Sequence, residues 1–85
     1  MVEQSIVSPQ DIIDARAYSM VLEWSPADDV WIVSVPELPG LHTHGETRAE
    51  AIEMGEEVIA LWIAGLRKHG QPVPEPRRFA AASSA

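Results

Sequence analysis

From Tyr18 onward the chain alternates: Tyr18, Met20, Leu22 and Trp24 take one side, and Ser19, Val21 and Glu23 the other. A period of two marks a strand, and here it predicts one over residues 17–25. Pro26-Ala27-Asp28-Asp29 is a turn by residue type. Residues 30–35 are rich in β-branched side chains and predict a second strand, so the two form a hairpin. Trp31, Val33 and Val35 share one face; Ile32 and Ser34 share the other. Both faces carry apolar residues, so one is expected to meet a helix and the other to be open to a partner chain.

Pro36 ends the second strand because it has no N–H for the ladder. Leu38-Pro39-Gly40 predicts a tight turn, with φ fixed at Pro39 and free at Gly40. A short third strand is expected over 41–44, and Gly45 turns the chain into a helix. That helix opens at Thr47, where Thr47-Arg48-Ala49-Glu50 reads as a capping box. Ile52, Gly55, Ile59, Trp62 and Leu66 then recur at helical spacing, widened by Ala51 and Val58. Arg67, Lys68 and His69 sit in the last turn, Gly70 is the stop, and Pro72 forbids continuation. Gly55 lies on the apolar stripe and is expected tight against the sheet. Gly65 has no such account.

Upstream, Ser8 as N-cap, Pro9 at N1 and Asp11 at N3 predict a helix of two turns at most, stable only when docked. Downstream, 70–76 is extended and Pro-rich. A last short strand is expected over 77–80, and a disordered small-residue tail over 81–85. The chain thus divides into an N-terminal extension (1–16), one α+β domain (17–80) and a tail.

Composition narrows the picture. Eighty-five residues without a cysteine make one small, unstapled domain, of a size that often gains stability by oligomerising. Six basic against 13 acidic residues give a net charge of −7. That balance argues against phosphate-backbone binding and for solubility or a basic protein partner. No apolar run spans a bilayer, and Met1-Val2-Glu3-Gln4-Ser5 lacks the pattern of a signal peptide, so a cytoplasmic protein is expected.

Candidate chemistry is sparse. His42 and His44 fall on one face of a strand with Glu46 nearby, but zinc needs three or four ligands, and an exposed polar face explains them as well. Glu23, Asp28, Asp29, Glu37 and Glu46 lie mostly in turns, which suits a solvated surface better than an acid-pair site. No Gly-x-Ser-x-Gly elbow or Gly-rich phosphate loop occurs. Neither enzyme activity nor any cofactor or metal is expected. Trp24, Trp31 and Trp62 are a heavy aromatic load, and Trp24 and Trp31 are candidate subunit-interface residues.

One ordered set of motifs resembles a known family. A Tyr-initiated strand and an acidic turn lead to Val35-Pro36-Glu37-Leu38-Pro39-Gly40. Gly45-Glu46-Thr47, the helix opener Glu50-Ala51-Ile52 and the exit Gly70-Gln71-Pro72-Val73-Pro74-Glu75-Pro76 follow. From Tyr18 to Pro76 this pattern resembles the HicB-like antitoxins. The resemblance implies a β-β-β-α-β fold, a partial ribonuclease-H-like sheet on one long helix without that enzyme's catalytic carboxylates. It also implies a small basic HicA-like ribonuclease toxin as partner, and assembly into dimers or tetramers. Residues 77–85 are too few for the DNA-binding domain that many such proteins carry, so direct nucleic-acid binding by this chain is not expected. Charge clustering selects Glu37, Glu46, Glu50 and Glu53 as toxin-contact candidates. The competing expectations are an orphan homo-oligomeric module of the same fold and a metal enzyme built on His42, His44 and Glu46.

Overall fold

The computed structural model describes residues 6–80. The tail expected over 81–85 and the first five residues of the N-terminal extension lie outside them. In chain order the elements are α1 (Pro9–Ala15), β1 (Val21–Ser25), β2 (Val30–Ser34), β3 (His42–Gly45) and α2 (Arg48–Lys68). The chain is α+β: an antiparallel sheet in the order β1-β2-β3, with two helices.

Each boundary has a local cause. Ser8 caps α1 as expected and forms a full capping box: its hydroxyl accepts from the Asp11 N–H at 3.2 Å, and Asp11 accepts from the Ser8 N–H at 2.9 Å. Leu38-Pro39-Gly40-Leu41 closes with the Leu41 N–H donating to the Leu38 carbonyl at 3.0 Å, and Gly40 takes φ +92°. That is the left-handed position this turn assigns to glycine. At the end of α2 the Gln71 N–H reaches the Leu66 carbonyl at 2.8 Å and the Gly70 N–H reaches Arg67 at 3.1 Å. Gly70 sits at φ +67°, which completes a Schellman stop.

Several expectations are corrected. β1 begins at Val21, because the Ala17 and Tyr18 N–H groups still bond back to Asp14 and Ala15 at the end of α1. The capping box of α2 is half formed. The Thr47 hydroxyl accepts from the Glu50 N–H at 3.0 Å, but the Glu50 carboxylate takes the Glu46 N–H instead of that of Thr47. No strand forms over 77–80; residues 71–80 run without ladder partners.

The sheet register sets its two faces. Leu22, Val33 and Thr43 lie abreast, as do Trp24, Trp31 and Gly45, on the side that meets α2. Val21, Ser34 and His42, and likewise Glu23, Ile32 and His44, take the opposite side. The face of α2 that packs is made of Ala51, Gly55, Ile59 and Ile63, with Ala60 and Ala64 beside them. This departs from the expected stripe: Ile52 and Trp62 are each 41% exposed. Small residues occupy the seam because helix and sheet approach closely there. A Cβ on Gly55 would lie 3.3 Å from Val33 Cγ1 and against the Met20 sulfur. Ala15, Tyr18, Val35, Leu38 and Leu41 complete the core around Ile59 and Ile63.

Gly45 is the tightest point. A Cβ there would lie 2.7 Å from Ala51 Cα and 2.8 Å from the Glu50 carbonyl carbon, both backbone atoms that cannot yield without parting β3 from α2. At Gly65 the same Cβ meets nothing within 4 Å. Gly45→Ala is therefore expected to destabilise the fold by about 3 kcal/mol through overpacking. Gly65→Ala is expected to stabilise it by about 1 kcal/mol through helix propensity. Urea unfolding of the two variants beside the parent chain measures both, and equal shifts would refute this account of the seam.

Candidate functional site

The four acidic candidates do not form one site. Glu37 follows β2 and is folded inward. Its carboxylate accepts the Ser19 N–H at 3.1 Å, the Ser19 hydroxyl at 2.9 Å and the Arg77 N–H at 2.8 Å. One side chain thus ties the lead-in to β1 to the C-terminal segment. The Tyr18 hydroxyl adds a second tie by donating to the Pro74 carbonyl. Burial pushes the Glu37 carboxyl up, but the N–H donors of Arg77, Glu37 itself and Ser19, with the Ser19 hydroxyl, outweigh it and hold it below its ordinary value of 4.5.

Glu46 and Glu50 stand together at the N-terminus of α2, both exposed. They line a hollow of about 220 Å³ with Val30, His44, Gly45 and Met54. The partial positive charge of the helix start favours both carboxylates. Beside them Trp24 and Trp31 meet edge to face, centroids 5.5 Å apart, and the Arg48 guanidinium lies 4.3 Å above the Trp31 ring. Trp24 is 45% exposed, so this aromatic corner is open to contact.

Glu53 looks elsewhere. With Glu56, Glu57, Ile12 and Ala60 it lines a hollow of about 330 Å³ between α1 and α2. Glu56 and Glu57 were not singled out by sequence reasoning. The signal was present in their i+3 and i+4 spacing from Glu53, which puts all three on one side of the helix.

The seam between the helices holds a second cluster that sequence reasoning missed. The Arg67 guanidinium donates to Asp14 at 2.8 Å and also to Asp11. The Ser8 N–H, then the Ser8 hydroxyl and Arg67, overcome burial to hold the Asp11 carboxyl below its ordinary 3.8. Hydrogen bonds from Arg67 and Gln10 lower Asp14 likewise. These groups fasten α1 to α2.

His42 and His44 are exposed on the face of the sheet turned away from α2. Among the described residues no three His, Asp or Glu side chains are placed to hold a metal ion. No helix among them is long and apolar enough to cross a membrane.

Comparison with known proteins agrees with the motif order. The family model for the HicB-like antitoxin of bacterial toxin–antitoxin systems matches residues 18–85. A UPF0150 protein of Thermoplasma acidophilum is 40% identical over 47 residues, 55% of this chain and 68% of that protein. A UPF0150 protein of Synechocystis sp. is 36% identical over 69 residues, 81% of this chain and 82% of that protein. The Ser19–Glu37–Arg77 tie lies within the matched region; α1 lies before it.

The carboxylates of Glu37 and Asp11 titrate lower in the folded chain than in the unfolded one. Their stabilisation is complete above the ordinary values of 4.5 and 3.8 and is lost as pH falls through the lower folded values. The thermal midpoint is expected to fall steeply below about pH 4.5, with Glu37→Gln flattening part of that fall. The same variant is expected to lose roughly 1–3 kcal/mol at neutral pH and to be cut faster by trypsin after Arg77 and Arg78. Melts across pH and timed proteolysis check this; an unchanged cleavage rate would show that Glu37 does not hold the segment.

Proposed function

This chain belongs to the family of HicB-like antitoxins of bacterial toxin–antitoxin systems, and we propose that it binds a small basic ribonuclease toxin of the HicA-like kind and occludes its active surface. The action is binding without chemistry, in the cytoplasm, by an assembly of two or four chains. The observation that carries this reading is the family match over residues 18–85 joined to an acidic surface on the N-terminal half of α2. We read the β1-β2-β3 meander followed by α2 as part of a ribonuclease-H-like sheet, which the antiparallel order supports.

The contact face of this reading is the start of α2. Glu46 and Glu50 are exposed there and carry the charge that would steer and hold a basic partner, with Glu53 on the adjoining flank of the helix. The Trp24–Trp31 corner beside Glu46 supplies aromatic area of the kind that anchors interfaces. Glu37 contributes indirectly, by holding the segment between Pro74 and Arg77 in place.

Tagged chain drawn from its native cells at low salt is expected to carry a small basic protein that cleaves RNA when freed and does not when bound. Raising salt is expected to release it. Glu46→Lys with Glu50→Gln is expected to weaken the complex at least tenfold, mostly through charge. Failure to retain any RNA-cleaving protein, or a complex that cleaves RNA as fast as the free partner, would overturn the reading.

A further inference from the structure

Two features of the chain leave surface that the fold does not cover, and each supplies what the other lacks. The first is a groove between α1 and α2. Its floor is a hollow of about 390 Å³ lined by Val7, Ile12, Val58, Ala60 and Leu61. It continues into the acidic hollow of Glu53, Glu56 and Glu57, sharing Ile12, Glu57 and Ala60 with it. Ile12 is 48% and Leu61 54% exposed, so apolar surface is left open beside three carboxylates.

The second feature is Arg77-Arg78-Phe79. Phe79 is 93% exposed, the highest of the large apolar side chains among the described residues. Among those residues, neither guanidinium of Arg77 or Arg78 pairs with a carboxylate. The Arg77 N–H is pinned to Glu37 at 2.8 Å, so the base of this arm is fixed while Phe79 projects beyond it.

We infer that the Arg77-Arg78-Phe79 arm of one copy docks in the α1–α2 groove of a second copy, with Phe79 in the apolar hollow and the arginines on Glu53, Glu56 and Glu57. Charge complementarity selects this occupant. In a chain of net charge −7 two of the six basic residues stand together here, next to the one phenylalanine. Elsewhere Arg67 is held by Asp11 and Asp14, and Arg48 by the Trp31 ring. A two-fold pair exchanges both arms and so makes the contact twice. Each contact is small and charge-assisted, so the pair is expected to be reversible and sensitive to salt.

Sedimentation equilibrium on the full chain alone tests this, and its outcome is separate from toxin binding because no toxin is present. A dimer is expected at low salt that dissociates as salt is raised. Phe79→Ala, and separately Arg77→Glu with Arg78→Glu, are expected to raise its dissociation constant at least tenfold. Glu56→Lys with Glu57→Lys is expected to do the same, and combining the two charge reversals is expected to restore the dimer. All these side chains are exposed, and circular dichroism confirms that each variant is folded. A monomer at high micromolar concentration in low salt would overturn the inference, including one whose arm folds back on its own groove. A dimer that Phe79→Ala leaves unchanged would overturn it equally.

Discussion

The contact between α2 and one face of the sheet governs everything else in this chain. Three strands and one long helix can enclose only a single layer of side chains, and the helix must come close enough to seal it. Ala51 and Gly55 in the first half of α2 allow that approach where β3 ends at Gly45 and where Val33 crosses. Ile59 and Ile63 in the second half fill the wider space with Leu38, Leu41, Val35 and Tyr18. The turn at Leu38–Leu41 belongs to this constraint too, since it delivers two fully buried leucines on either side of Pro39 and Gly40. Among the described residues, no element covers the far face of the sheet, with Val21, Ile32, His42 and His44.

Much of this was legible from residue type, because turns and caps depend on local chemistry. Ser8 and Pro9, Pro39 and Gly40, Thr47 and Gly70 each do what their types predict. The hairpin and its two faces follow from alternation. What failed depended on tertiary distance. The alternation from Tyr18 to Met20 persists although those residues lie outside the ladder, since an extended chain keeps the period of a strand without pairing. The packed face of α2 is legible in part: Ala51, Gly55 and Ile59 pack as expected, but Ile52 and Trp62, large and apolar, draw the stripe away from Ala60, Ile63 and Ala64. Close approach selects for the smaller side chains. The segment 77–80 carries no signal that separates a strand from an arm.

The acidic candidates show the same limit. Sequence places Glu37, Glu46, Glu50 and Glu53 in one charge class. The fold separates them by what reaches each carboxylate. Three protein donors converge on Glu37, so its charge is used inside the molecule. Glu50 takes one backbone N–H and Glu46 none. A motif that mixes tight turn and glutamate, as Glu37-Leu38-Pro39-Gly40 does, points as readily to a structural clamp as to a contact surface. Only the partner donors, Ser19 and Arg77, decide between them, and they lie 18 and 40 residues away in the chain.

The remaining carboxylates divide by whether helix stability explains them. Glu46 and Glu50 sit at the N-terminus of α2, where a negative charge is favourable by roughly 0.3–1 kcal/mol. Glu53, Glu56 and Glu57 lie beyond the first turn and gain little from the dipole. At spacings of three and four they repel one another, at a cost of roughly 0.2–0.5 kcal/mol per pair. No cation on α1 or α2 pairs with them: Arg67 is committed to Asp11 and Asp14, Arg48 lies over the Trp31 ring, and Lys68 sits in the last turn. A helix selected for stability alone would place a lysine among them. Their presence on the rim of an open apolar groove is therefore a cost within the isolated chain, one that the basic arm proposed above would remove.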